Sequence, residues 1–247
     1  MKAIAACPTC ILEQSKDGTQ PRFSPVVGEL DDNGSIHVTC EHRHYGIVVY
    51  NERRYNVLVK SAARAFLDGY TNEVVAVMSS ALERAYEFYV RVSCAAKGVN
   101  PQAFEATWKV VVSQSERQLG AFQFLHLLDH GHHLSIDQAI PKTRNKVVHQ
   151  GHIIREADAL GYAEKTFAIV DVLDKSMRAM FPSQYKEEAE REVKVQQEAI
   201  PQGVEYLTLS MATVSVDTKT NIATRTVNKF LEHVAAIHHA RGNGFPL

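Results

Sequence analysis

The clearest chemistry in the chain sits in the string Ile140-Pro141-Lys142-Thr143-Arg144-Asn145-Lys146-Val147-Val148-His149-Gln150-Gly151. Arg144 carries a permanent cation that can grip phosphate through two parallel N–H groups, and His149 carries an imidazole that exchanges protons near neutrality. Asn145 adds a carboxamide that both donates and accepts hydrogen bonds. Pro141 or Thr143 is expected to open a helix here. On a regular helix Asn145 and His149, four apart, share a face, whereas Arg144 lies about 140° around from His149. A bent arginine side chain or a second subunit is therefore needed to bring the three groups together.

A second constellation lies near the start, where Cys7-Pro8-Thr9-Cys10 and Cys40-Glu41-His42-Arg43-His44 form two candidate ligand pairs. Two thiolates followed by a distant thiolate and an imidazole satisfy the tetrahedral preference of zinc. The expected ligands are Cys7, Cys10, Cys40 and His44, with His42 as the alternative fourth. Four protein ligands leave no open position for substrate, so this zinc is expected to be structural, stabilising a unit with little apolar core. The segment resembles a zinc ribbon over about the first fifth of the chain. Its second half departs from the usual Cys-x-x-Cys pair. Cys94, in a helix-like stretch, reads as a small core residue.

The elements that must hold these groups follow from hydrophobic spacing. Residues 1–55 read as a small β unit, with strands over 25–30, 35–40 and 45–50 and a tight hairpin at Asn33-Gly34, residues that tolerate positive φ. From residue 56 the spacing turns helical, through Leu58, Ala62, Ala65 and Phe66 to Gly69. Thr71 is expected to cap a long second helix that buries Val74, Met78, Leu82, Tyr86, Tyr89 and Val90 and stops at Gly98. Asn100-Pro101 opens the next helix, and further helices cover 104–112, 116–128 and 155–180. Phe181-Pro182 closes the run, and the charged stretch 186–195 reads as a solvated helix or linker. Residues 204–216 are rich in β-formers, and 226–239 return to helical spacing. The expected fold is mainly α: a helical bundle over 56–182, a small β unit over 1–55, and a mixed strand and helix extension over 183–247.

With the long helix in place, the Arg144-x4-His149 spacing and the polar Asn145 resemble the Arg-x(4–6)-His signature of HEPN ribonuclease domains. The likeness extends upstream to Ala81-Leu82-Glu83-Arg84-Ala85-Tyr86-Glu87-Phe88-Tyr89 and downstream to a final helix, together about half the chain. It implies a helical fold that dimerises so that motifs from two protomers meet in one cleft. It also implies an endoribonuclease that cleaves RNA by 2′-hydroxyl attack and needs no metal for catalysis, often a toxin or an anti-phage effector with a regulatory antitoxin or effector partner. By that resemblance His149 handles proton transfer, Arg144 stabilises phosphate charge, Asn145 orients a neighbouring group and Glu83 holds Arg144. A non-catalytic HEPN binding or scaffolding module, with the ribbon as its recognition element, is the alternative.

Other signals are weaker. His126 and His130, four apart and next to Asp129, His132 and His133, offer a metal option, but surface or supporting roles are the commoner use of such spacing. His132 or His133 could also contact RNA. Trp108, Tyr86, Phe88 and Tyr89 sit at core spacing. Arg53, Arg54, Lys60 and Arg64 form a modest basic cluster that reads as a solvated face before an RNA guide. A formal charge of −1 supplies no global field for nucleic acid, so RNA binding must use a local patch. With no apolar run of membrane-spanning length and no signal-like start, the expected setting is cytoplasmic, with no membrane partner.

Overall fold

The computed structural model describes residues 2–16 and 25–209, which fall into two compact units. Among the described residues, the first unit takes 2–53 and 189–209, and the second takes 54–188. The divisions thus fall at 53/54 and 188/189, beside the 55/56 and 182/183 boundaries read from sequence. The helical spacing at 226–239 and the β-rich residues beyond 209 lie outside the described residues.

The first unit is a five-stranded sheet in the order β1 (Lys2–Ala6), β2 (Pro25–Leu30), β3 (Ser35–Thr39), β4 (Tyr45–Tyr50), β5 (Tyr206–Leu209). The first four pair antiparallel, and β5 adds parallel to β4, with Ile47 opposite Tyr206 and Val49 opposite Thr208. The extension therefore donates a strand to the N-terminal sheet. β4 is buried along all but its first residue, as expected of a strand paired on both edges. The expected ribbon also contains a helix, α1 (Pro8–Lys16). Pro8 suits a first turn because its missing N–H would have no partner there, and the Cys7 carbonyl accepts from Ile11 N at 3.1 Å.

The turn at Asn33-Gly34 differs from a two-residue hairpin. Only Gly34 has positive φ (91°), and Asp31 organises a three-residue loop by accepting from Asn33 N and Ser35 N at 2.9 and 2.8 Å. A two-residue type I′ turn would need positive φ at both positions. The aspartate side chain supplies instead what the backbone would otherwise have to twist to reach.

The second unit is built around α3 (Thr71–Ala96), packed by α2 (Arg54–Leu67), α5 (Ser115–His130), α6 (Ala139–Gln150) and α7 (Glu156–Met180), with α4 (Pro101–Val111) alongside. Val74, Met78, Leu82, Tyr86, Tyr89 and Val90 are all buried as expected, but so are Val75, Ala81, Ala85, Phe88, Val92 and Ser93. A helix buried on more than one face is the centre of a bundle. The charged stretch is α8 (Pro182–Glu198), a helix within which the unit boundary falls. No helix among the described residues is long and apolar enough to cross a membrane.

Thr71 does not cap α3. Its hydroxyl donates to the Ile154 carbonyl at 2.8 Å, while Asn72 clamps the same segment, donating to His152 O at 3.1 Å and accepting from Ile154 N at 3.0 Å. Two polar side chains at the start of α3 thus fix the α6–α7 connection.

At the other end of α3, Asp129 has a side chain only 2% exposed and accepts from Tyr89 and Ser93 hydroxyls at 2.8 and 2.7 Å and from Lys97. Burial pushes its pKa up, but these donors outweigh burial and hold it below the usual carboxylate value. Removing the carboxylate strands three donors, so Asp129→Ala is expected to cost about 2–4 kcal/mol in urea unfolding at neutral pH. Because the folded-state value is the lower one, this contribution is complete above about pH 4 and fades as pH falls through the folded-state value. Comparing wild type and variant across pH 2–7 checks both magnitude and sign; curves that stay parallel throughout would refute the assignment.

Candidate functional site

α6 carries the Arg144-Asn145-His149 string. Asp137 starts it, accepting from Ala139 N at 2.8 Å through its side chain and from Ile140 N at 3.0 Å through its carbonyl. Pro141 falls in the first turn. Gly151, at φ 66°, ends it, with His152 N donating back to Lys146 O at 3.1 Å in a Schellman-type closure. Ile140 and Val147, seven apart, are buried and pin one face of α6 to the bundle.

The opposite edge of that face brings the candidates together. Arg144 Nη1 lies 3.2 Å from His149 Nε2 and donates to Asn145 Oδ1 at 3.3 Å. Arg144 Nη2 stands 3.7 Å from Glu83 Oε1 on α3. All four residues therefore converge within one chain, because the arginine side chain bends back to span the 140° that separates it from His149. Arginine has no acceptor, so a hydrogen bond at this distance requires His149 Nε2 to present its lone pair, the neutral tautomer with its proton on Nδ1. Arg144 and Glu83 are half-buried, while Asn145 and His149 are exposed. A partly exposed pair at that separation contributes about 0.2–1 kcal/mol, enough to orient a side chain but little for stability.

Leu82, Tyr86, Leu119 and Ile140 wall a cavity of about 190 Å³, with Glu83, Arg144 and Asn145 also lining it. Sequence spacing could not reveal this cavity, because its walls come from α3, α5, α6 and α7.

In the histidine-rich stretch, His126 and His130 of α5 pack against each other. His126 is 3% exposed and stacks on His130 with ring centroids 4.1 Å apart, and its Nδ1 has no hydrogen-bond partner among the described residues. Burial lowers the pKa of both imidazoles. Trp108, Tyr86, Phe88 and Tyr89 are buried, and the Trp108 indole donates to Glu87 at 3.0 Å. Arg53 is buried too, 3.4 Å from Glu192, so it belongs to an ion pair inside the first unit and not to a solvated patch.

In the first unit, the ligand atoms of Cys7, Cys10, Cys40 and His44 all lie within 4.8 Å of one another, a grouping that can hold a metal ion such as zinc. Cys10 Sγ is 3.8 Å from Cys40 Sγ and 3.4 Å from His44 Nδ1. A tetrahedron with the zinc–sulfur and zinc–nitrogen bond lengths of protein sites has sulfur–sulfur edges of about 3.8 Å and sulfur–nitrogen edges of about 3.5 Å. His42 Nδ1 is 3.6 Å from Cys10 Sγ, but the residue is exposed and falls outside the group of four.

Two local features build this geometry. Gly46 lets Pro8 approach β4: a Cβ there would stand 2.9 Å from Pro8 Cγ and Cδ, so a larger residue would push the Cys7–Cys10 turn off the sheet. The Cys40–His44 loop repeats the plan of the Asp31–Ser35 loop, with Arg43 N donating to Cys40 O at 2.9 Å and Cys40 N to His44 O at 3.1 Å. Here Arg43 takes the left-handed position, at φ 63°. Burial raises the Cys40 thiol, but the amides of His44 and His42, with the Cys7 and Cys10 thiols, bring it down to about 7. Burial and the two neighbouring thiols push Cys10 up to about 12. A divalent cation removes that conflict by stabilising every thiolate at once.

No family model, curated protein sequence or solved structure matches the chain.

Zinc content by mass spectrometry checks the ligand set. One zinc per chain is expected in wild type and in His42→Ala, and His44→Ala should lose it or bind at least about tenfold more weakly. The reverse order would make His42 the ligand. A left-handed non-glycine residue costs roughly 1–2 kcal/mol, partly offset by the entropy of glycine, so Arg43→Gly should stabilise the zinc-loaded protein by up to about 1 kcal/mol in urea unfolding. A loss of stability would show that the arginine side chain contributes more than its backbone costs.

Proposed function

We propose that the chain is a HEPN-type endoribonuclease that acts as a homodimer on RNA, with a structural zinc in its first unit. The observation that carries this reading is the 3.2 Å approach of Arg144 to His149 at the exposed end of α6, with Asn145 and Glu83 beside them. Cation, imidazole and solvent access occur together, and RNA supplies its own nucleophile in the 2′-hydroxyl.

The pair has a natural order of events. A bound phosphodiester competes for the Arg144 guanidinium, which binds phosphate more strongly than a neutral imidazole. As Arg144 turns to phosphate, His149 Nε2 is released with its lone pair free. It takes the proton from the 2′-hydroxyl, the 2′-oxygen attacks phosphorus, and the bond from phosphorus to the 5′-oxygen breaks. That oxygen takes a proton from a second imidazole, the partner protomer's copy of the motif. The products are a 2′,3′-cyclic phosphate and a 5′-hydroxyl, and Arg144 neutralises charge on the phosphorane throughout.

A twofold assembly is favoured by apolar residues flanking the motif: Val148 and Ile153 are exposed, Ile153 by 82%. Exposed apolar side chains around a polar site mark a surface that a partner covers. An enzyme that cuts cellular RNA calls for restraint, which suits a toxin or anti-phage effector held by a regulatory partner. The Cys3His group has no open coordination position, so its zinc holds the sheet and α1 together.

In a chelator-containing assay with single-stranded RNA, His149→Ala and Arg144→Ala are each expected to lower cleavage by about 10²–10⁴-fold. Glu83→Gln, which leaves the guanidinium free to reorient, should cost only about tenfold or less. End-group analysis should find cyclic phosphate termini. Equal activity in wild type and both alanine variants would remove the site, and an inactive wild type would leave a binding or scaffolding module as the reading.

A further inference from the structure

Tyr86 is 4% exposed and lines the cavity beside Arg144, yet its hydroxyl has no hydrogen-bond partner among the described residues. Its ring is fixed by stacking on Phe122 at 4.4 Å. The other tyrosine in the cavity, Tyr162, is satisfied by Ser79 Oγ at 2.7 Å, so the contrast belongs to Tyr86 alone of the two. The ring is buried while the hydroxyl opens into the cavity, where it is available to a ligand. Gln123, half-buried on α5, also lines the cavity with a carboxamide that bonds to no other described residue.

We infer that this cavity binds a pyrimidine base of the RNA, next to the phosphate held by Arg144. The inference rests on the nuclease reading for the identity of the larger substrate, but the features that recognise the base are its own. Leu82, Leu119, Ile136 and Ile140 supply apolar surface for a flat ring. The Gln123 carboxamide offers one donor and one acceptor in a plane, which matches the edge of uracil and, rotated, that of cytosine. Tyr86 adds a hydroxyl that can donate to an exocyclic carbonyl oxygen of the base. Size favours the smaller bases: a cavity of about 150 Å³ holds benzene, so about 190 Å³ takes in a single ring with its carbonyl oxygens, while a fused purine would project through the open side. Arg144 and Asn145 line the same cavity, so a base seated in it has its phosphate next to the guanidinium.

Calorimetric titration of the full chain with uridine 3′-monophosphate and adenosine 3′-monophosphate tests this directly. The uridine nucleotide is expected to bind about tenfold more tightly, a margin typical of one good base contact. Tyr86→Phe and Gln123→Ala should each narrow that margin to about threefold or less, because each removes one of the contacts that create it. The Tyr86 hydroxyl bonds to nothing else described, so Tyr86→Phe should melt at the wild-type temperature, which separates lost recognition from lost folding. Equal affinity for the two nucleotides, no binding of either, or an unchanged margin in both variants would overturn the pocket. Chelator-resistant, His149-dependent cleavage of mixed-sequence RNA is measured in parallel. If cleavage is found without base selectivity, the pocket falls and the nuclease stands. Selective uridine binding by a chain that cuts no RNA leaves the pocket and removes the nuclease.

Discussion

The candidate active site depends on the attachment of α6 to α3. The azimuth of α6 decides whether Arg144 faces Glu83 of α3 and the cavity, because a turn of the helix about its own axis would swing the guanidinium away from both. Three independent contacts fix that angle. Ile140 and Val147 bury one face, and the Asn72 carboxamide grips both His152 O and Ile154 N just past the helix end. The Thr71 hydroxyl takes Ile154 O. A carboxamide bonded to a peptide N–H and a C=O two residues apart acts like a short piece of β ladder, and it keeps a connection from drifting without burying any charge. The site therefore stands on a rigid element while Asn145 and His149 stay in solvent.

The first unit solves a different problem. Its core is small, dominated by Ala5, Ala6, Ile36, Val38 and the buried stretch of β4, and small cores need a cross-link. The Cys3His group closes α1 onto the β3–β4 loop, and two polar devices complete the sheet. Gln196 of α8 accepts from Tyr50 N at 3.1 Å and donates to Tyr50 O at 3.4 Å, and β5 takes the free edge of β4. A segment almost two hundred residues downstream thus finishes a sheet begun at residue 2. That explains why a stretch of β-formers follows a charged helix so late in the chain.

Much of this was legible from residue types. The long helix and its buried face, the Asn100-Pro101 opening, where Asn100 Oδ1 accepts from Gln102 N and Ala103 N, and the strands at 25–30 and 45–50 all follow from spacing. The four candidate zinc ligands were legible because cysteine pairs and their spacing carry their own chemistry. What spacing could not show is long-range polar traffic. Thr71 reads as a cap, since a helix start is the nearest need for a hydroxyl, yet a carbonyl 83 residues away takes it. Asn33-Gly34 reads as a tight turn in which both residues tolerate positive φ, but Asp31 Oδ1 accepts from two of the loop amides and only Gly34 takes positive φ. The cavity was invisible for the same reason: its walls come from four helices, and only the packed bundle decides which polar group is left without a partner.

The contrast among histidines sharpens the functional argument. His126 and His130 are the denser cluster and the more eye-catching in sequence, yet they stack against each other, and burial lowers their pKa by disfavouring the charged form. A buried neutral imidazole packs as an aromatic ring and pays for any proton it takes up. His149 is the opposite case. It is exposed, and its Nε2 stands 3.2 Å from the Arg144 guanidinium, a permanent cation. The buried pair is thus closed off by its own stacking, whereas the Arg144–His149 pair stands at the surface, where the reading proposed above needs it.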